Sequence, residues 1–435
     1  MASSKTISIQ ANPRKGFFID MLTRDISLID CILDLIDNSI DSILDKTKFD
    51  PMKGLSREEK KRLDKYSISI QFTDKKFVIE DNSDGVNAKE ATEKVFRFGS
   101  EQNSSKKLGL SVYGIGMKRA FFKIGRLIEF KSTSVDGEVN VGLDVDNWVK
   151  EESWDLKGEF KTLEKQKSLG TKIIIKNINS ETIPNFISKA FETRLIEKIQ
   201  TTYGIFLNYG LKIELNGKRA KPDIPTVSQS EEIKVTTKLF EKGDVQIKIL
   251  AGITPEDDKK SNGWFIFCNG RMILEGDKTP NTGWGNGLLR KFHASTNRFV
   301  GFVYFKSDDV SLLPWTTTKN GVNFESAIYQ YALAQMVTIA QPIVGFLTKK
   351  YNEDKSMKSV DDLLEKATDV SISDIKEKES FFNADIVTSS EKSGEIFYTV
   401  PIADIKRIKE VMQNENISNL EIGKRTFYYF LDHEG

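Results

Sequence analysis

From Leu28 to Ile43, apolar residues return every three or four positions: Leu28, Ile29, Ile32, Leu33, Ile36, Ile40 and Ile43. That interval predicts a helix over Asp30–Asp45 with one apolar side. At about 100° per residue, Asp30, Asp34, Asp37, Asn38, Asp41 and Asp45 fall in one narrow stripe opposite it. The period then changes to two. Ser67–Phe72 alternates as a strand, Thr73–Lys76 turns, and Phe77–Glu80 returns as the second arm of a hairpin. Leu127–Thr133, Glu138–Asp144 and Gly170–Lys176 read as further strands under the first helices. Together they predict a two-layer α/β sandwich that ends near residue 205.

A second α+β unit follows. Leu211–Leu215 turns at Asn216-Gly217, and Trp264–Cys268 turns at Asn269-Gly270 into Arg271–Leu274. Asn-Gly between apolar runs is a strong hairpin signal. Arg298–Phe305 reads as another strand and Phe324–Tyr351 as one long apolar helix. Beyond Asn352 the chain turns charged, at Asp354–Lys366 and Lys376–Ser380, which reads as a linker or short exposed helices. A helix over Ala403–Gln413 and the aromatic run Phe427–Phe430 close the chain, and the aromatics are read as a core edge. The fold class is therefore α+β, with units at 1–205, 206–352 and 353–435, the last a small α/β segment.

Composition narrows this picture. A chain of 435 residues is long enough for two or three sizeable cores. With 64 basic and 63 acidic residues it lacks the global basic balance of a nucleic-acid-binding domain. Lys53–Lys65 mixes bases with acids and reads as a solvated insertion helix. Cys31 and Cys268 offer no disulfide framework, which points to a reducing cytoplasm. With only His293 and His433, no His/Cys metal spacing or nucleophile pair is visible. The start has no signal-peptide core, no run approaches a membrane span, and no internal repeat is evident.

Candidate chemistry begins with the acidic stripe. Asp and Asn are poor helix formers and like charges four apart repel, so a helix that accepts both is holding something positive, such as a divalent metal with its phosphates. The second hairpin strand runs into Asp81-Asn82-Ser83-Asp84-Gly85-Val86, where a carboxylate at a strand end can meet a ligand. The loop Gly99–Gly109 is rich in Gly, Ser and Lys and leads to Gly114-Ile115-Gly116-Met117-Lys118 at the start of an apolar helix. Gly-x-Gly-x-Lys at that place is a phosphate cradle of backbone N–H groups with an added point charge. It is neither a Walker A loop nor a dinucleotide fingerprint. Last, Gly170-Thr171 opens a strand.

In this order and spacing, the four signals resemble the GHKL ATPase superfamily, which includes gyrase B subunits, MutL proteins, heat-shock chaperones, sensor histidine kinases and MORC ATPases. Phe17–Asp25, Phe98-Gly99-Ser100 and the lysine after Gly116 are most similar to the MORC branch and its bacterial relatives. The resemblance covers about residues 15–345. It implies a Bergerat ATP-binding fold, a transducer-like domain over 206–352, and ATP with Mg²⁺ as cofactors.

Carried over, Asn38 would ligate Mg²⁺ and Asp81 would accept from the adenine amino group, directly and through a water shared with Thr171. Val86 and Met117 would wall the base, and Gly114, Gly116 and Lys118 would line the phosphates. Asp37, Asp41, Gly85 and Ile115 complete the expected nucleotide contacts. Asp34 stands where the family has the glutamate that orients the attacking water. In Leu313–Asn320, Lys319 matches the transducer lysine that touches the γ-phosphate. Two departures mark this chain: Asp34 is one methylene shorter than Glu, and Ser83 replaces the first glycine of Asp-x-Gly-x-Gly.

The resemblance implies a slow ATPase acting as a conformational switch. ATP closes the loop Gly99–Gly109, the arm before Phe17 straps across, and two copies form a homodimer. DNA or a protein partner is possible and a membrane is not expected. Bacterial relatives of this type often belong to DNA-transaction or anti-phage systems. A nucleotide-binding scaffold without hydrolysis is the alternative. A histidine kinase is disfavoured because no phosphoacceptor hairpin precedes the acidic helix.

Overall fold

Ser27 starts the acidic helix: its hydroxyl accepts from the Asp30 N–H at 3.0 Å. In the computed structural model, which describes residues 13–52, 62–99, 108–111, 114–162, 168–255, 261–375, 379–382 and 399–434, this helix runs from Leu28 to Thr47. It ends where Lys48 turns left-handed at φ 51°. The chain divides into two units, 1–385 and 386–435. The N-terminal arm, most of Lys53–Lys65 and most of the Gly99–Gly109 loop lie outside the described residues.

The larger unit opens with α1 (Lys15–Thr23) and α2 (Leu28–Thr47), then the hairpin β1 (Ser67–Phe72) and β2 (Lys76–Asp81). After the short α3 (Ala88–Glu90) comes α4 (Gly116–Ile124), followed by β3 (Gly125–Thr133), β4 (Glu138–Asp144), α5 (Val145–Trp148), β5 (Gly158–Lys161) and β6 (Gly170–Ile178). Next are α6 (Ile183–Phe186), α7 (Lys189–Thr202), α8 (Gly204–Asn208), β7 (Lys212–Leu215) and β8 (Lys218–Arg219). The first sheet has the order β5-β4-β3-β6-β2-β1-β7-β8. The Asn216-Gly217 hairpin, expected to open the second unit, instead completes this sheet, because β7 pairs parallel with β1.

A second sheet follows from β9 (Val227–Gln229), β10 (Thr236–Lys242), β11 (Val245–Ile253), β12 (Gly263–Cys268), β13 (Arg271–Asp277) and β14 (Phe299–Lys306). After α9 (Ala327–Asp354) and α10 (Lys358–Leu364), the short strands β15 (Thr368–Val370) and β16 (Glu379–Ser380) join its edges. Thus part of the charged stretch after Asn352 is sheet rather than linker.

Two cores explain the apolar runs. Leu250, Phe265, Phe267, Phe302 and Tyr304 face the core of the first sheet, whereas Ile249, Ile266, Cys268, Val303 and Phe305 face the core under α9. A sheet covered on both faces needs continuous apolar strands, as in Gly263–Cys268 and Phe299–Phe305. Burying each large side chain contributes roughly 1.5–3 kcal/mol. By length and composition α9 could cross a membrane, contrary to the reading of the sequence, but Tyr329, Ala332, Met336, Ala340, Ile343 and Leu347 are packed in this core.

In the smaller unit, α11 (Ile402–Val411) packs on α12 (Asn419–Glu434). Phe427, Tyr428, Tyr429 and Phe430 are exposed, which corrects the reading of them as a core edge. Four successive helical positions point around the whole circumference, so one packing neighbour cannot cover them.

Candidate active site

The acidic stripe does hold positive charge, and much of that charge comes from the chain itself. Asp37 is fully buried on α2 and accepts from three side chains: Tyr203 OH at 2.7 Å, Arg271 Nε at 3.0 Å and Lys319 Nζ at 2.6 Å. Arg271 and Lys319 hold its carboxyl below the usual aspartate range against the opposing effect of burial. In return, Asp37 and Asp34 raise the pKa of Lys319 although burial pulls it down. The other predicted members of the stripe divide. Asn38 and Asp41 meet the end of the Gly99–Gly109 loop, and Asp45 is exposed.

Asp34 lies one turn before Asn38. Its Oδ2 accepts from Arg119 NH2 at 2.5 Å, while Oδ1 makes no hydrogen bond and has Lys319 Nζ 3.2 Å away. Gly116 explains how α4 comes so near. A Cβ there would stand 2.9 Å from Asp34 Cγ, so only glycine lets the helix start meet that carboxylate. Gly114 sits at φ 62°, a left-handed position that shapes the turn. Ile115 occupies the N-cap of α4 without a side-chain cap, and Met117 is buried behind it.

Lys118 does not extend along this turn. Its Nζ donates back to the Gly114 carbonyl and lies 5.8 Å over the Phe98 ring. Burial lowers its pKa to about 8. Phe98 in turn stacks in an aromatic group with Phe18, Phe122, Trp148 and Trp154, which joins α1 and α4 to the root of the Gly99–Gly109 loop.

The far end of that loop is fastened to the stripe. Asp41 accepts the N–H groups of Leu110 at 2.5 Å and Ser111 at 2.9 Å, and burial raises its pKa to about 6. Ser111 Oγ donates to Asn38 Oδ1 at 2.9 Å. Asn38 Nδ2 is buried with no partner. The amide oxygen keeps a second lone pair, so an oxygen-seeking cation fits beside the serine. Among the described residues no cluster of three or more His, Cys, Asp or Glu is arranged to hold a metal. Cys31 and Cys268 are buried free thiols whose pKa values burial raises.

Beside Asn38 on α2, Ser39 reaches Asp81, which closes β2 as a dense acceptor. Ser39 Oγ donates to its Oδ2 at 2.7 Å. Its Oδ1 takes Ser83 N at 3.0 Å, Ser83 Oγ at 2.5 Å and Thr171 N at 3.3 Å. Ser83, the departure from the glycine pattern, therefore orients the carboxylate, and Oδ2 retains room for one more donor. The Thr171 hydroxyl is 2.8 Å from Ser132 Oγ, which also accepts the Val86 N–H at 2.7 Å. Gly85, at φ 70°, would place a Cβ 2.0 Å from the Thr133 carbonyl, so the chain beside Val86 needs glycine.

Reading the sequence missed Ser39, Ser132, Tyr203, Arg119 and Arg271. Two carried usable signals. Arg271 follows an Asn-Gly turn, and Arg119 lies one helical turn after Gly116. The positive φ of Asn269 and Gly270 gives the tight turn that aims Arg271 at Asp37. Ser39, Ser132 and Tyr203 are found only once the sheet is folded.

No curated protein matches the chain. Residues 26–174, the stretch that carries α2, Asp81, the Gly114–Gly116 turn and Thr171, match the family described as histidine kinase-, DNA gyrase B-, and HSP90-like ATPase.

Proposed function

We propose that this chain is an ATP-gated conformational switch of the GHKL type that binds Mg-ATP, hydrolyses it slowly and dimerises on closure. The observation that carries the reading is the convergence on α2 of a base anchor, an amide oxygen, a glycine turn and a lysine from beyond the second sheet. Asp81 would offer Oδ2 to an exocyclic amino group, and Val86 and Met117 would wall the base. Asn38 offers an oxygen to Mg²⁺, and Asp41 fixes Leu110 and Ser111 next to it. Gly85 would flank the base and Gly114, Ile115 and Gly116 the phosphates, which would draw the Lys118 ammonium from the Gly114 carbonyl, with Thr171 and Asp37 as further contacts. Bound Mg-ATP supplies a phosphoanhydride whose hydrolysis needs a positioned water. Asp34 Oδ1, buried without a hydrogen bond, suits that water.

Lys319 gives the switch its sense. It is held by Asp37, and a γ-phosphate competes for the same ammonium. A ligand shifts an equilibrium only by its differential contacts, and Lys319 provides one between ATP and ADP. The region around Lys319 takes the part of a transducer, and the chain's relatives would lie in the MORC-like branch. Two buried free thiols suit a reducing cytoplasm. A DNA-transaction or anti-phage role is the family expectation. Calorimetry with ATP and Mg²⁺, followed by phosphate release, tests the reading. Tight binding with release supports it, binding without release supports the scaffold alternative, and no binding overturns both.

A further inference from the structure

Arg119, the buried partner of Asp34, has no part in the roles assigned above. Asp34 is 2% exposed and Arg119 6% exposed, so the contact at 2.5 Å is shielded from water. Two charges in such a place are costly to bury and persist when each is held. A carboxylate has two oxygens, and here they are used unequally. Oδ2 is bound by the guanidinium, and Oδ1, which makes no hydrogen bond, faces the Lys319 ammonium 3.2 Å away. Buried polar atoms without partners are uncommon and cluster where chemistry is done. Arg119 reaches Asp34 from the first turn of α4, the same turn whose Gly116 abuts the Asp34 side chain. The guanidinium stays charged, and its single NH2 contact pins Oδ2 in place.

We infer that Arg119 is a positioning residue for Asp34: it engages Oδ2 so that Oδ1 alone faces the attacking water. This also accommodates an aspartate where a longer glutamate is usual, because a short side chain gains in aim what it lacks in reach. The inference rests on the ATPase reading. In the reaction Oδ1 accepts a hydrogen bond from water as the water oxygen bonds to the γ-phosphorus, the bond to the leaving ADP oxygen breaks, and the water proton passes to an oxygen of the phosphate product. Arg119 remains protonated throughout and touches neither reactant.

The test compares full-length wild type, Arg119→Met and Arg119→Lys in steady-state ATP hydrolysis, with analogue affinity and melting temperature measured in parallel. Arg119→Met should lower kcat by about a hundredfold, as expected when a reacting group is misplaced by roughly 1 Å, with KM and analogue affinity within about threefold. Arg119→Lys should recover part of kcat. If the wild type turns over and Arg119→Met matches it, the positioning role is wrong while the ATPase reading stands. A joint fall in kcat, affinity and melting temperature reduces Arg119 to a structural ion pair and overturns the inference. Wild type that binds nucleotide without turnover overturns the ATPase reading and this inference with it.

Discussion

Lys319 Nζ stands 2.6 Å from Asp37 Oδ2, and both side chains are buried although 282 positions separate them in sequence. Lys319 also holds a left-handed backbone, φ 54°, and Arg271 donates to its carbonyl while bonding Asp37. Non-glycine residues rarely keep that conformation unless their surroundings impose it. The lysine is thus fixed by backbone and side chain against the acidic helix.

Asp81→Asn should weaken nucleotide binding. Ser39, Ser83 and Thr171 all donate to the carboxylate, so an amide would set N–H against N–H on one side. The cost should be about 1–3 kcal/mol in calorimetry. Unchanged affinity would remove Asp81 as the base anchor.

Asp34→Ala should abolish phosphate release while nucleotide still binds, since water orientation acts only in the chemical step. It also leaves Arg119 unpaired in the interior, so unfolding should become easier by about 3–5 kcal/mol. Denaturant titration checks the second effect. Release at the wild-type rate would favour the scaffold alternative.

Gly116→Ala should lower turnover although the helix itself tolerates alanine. The new Cβ would sit 2.9 Å from Asp34 Cγ and displace it, with an overpacking cost of about 1–3 kcal/mol. Single-turnover hydrolysis of bound ATP is the readout.

Lys118 predicts a proton linkage. Burial puts its folded pKa at about 8, below the ordinary lysine value of 10.5. The unfolded chain binds more protons between those values, so this residue's contribution to stability rises as pH increases from about 8 towards 10.5. A phosphate beside it favours the ammonium, so nucleotide binding at pH about 8 should take up roughly half a proton and weaken at higher pH. Calorimetry in buffers of different ionisation enthalpy measures this, and Lys118→Met should eliminate it.

The sequence made much of this legible where spacing is local. Asp34, Asp37, Asn38 and Asp41 follow from helical period, Asp81 from the end of a hairpin strand, and Gly114–Lys118 from a short motif. The positive partner of the stripe was open to inference, but not that Arg271 and Lys319 supply part of it, because that contact forms only when the second sheet meets α2. The placement of β7 was illegible for the same reason. Its alternation fits either sheet, and only the parallel pairing of Ile68 with Ile213 decides. Ser83 resembles a lost glycine in sequence, whereas in the fold its hydroxyl meets Asp81.

The most direct test of the account is the effect of a non-hydrolysable ATP analogue with Mg²⁺ on association, measured by small-angle scattering for wild type and Lys319→Ala at matched occupancy. The account predicts that the analogue moves wild type towards a closed dimer, that ADP does so much less, and that Lys319→Ala responds weakly to both. An equal dimer population in wild type and Lys319→Ala, with nucleotide bound to each, would contradict it.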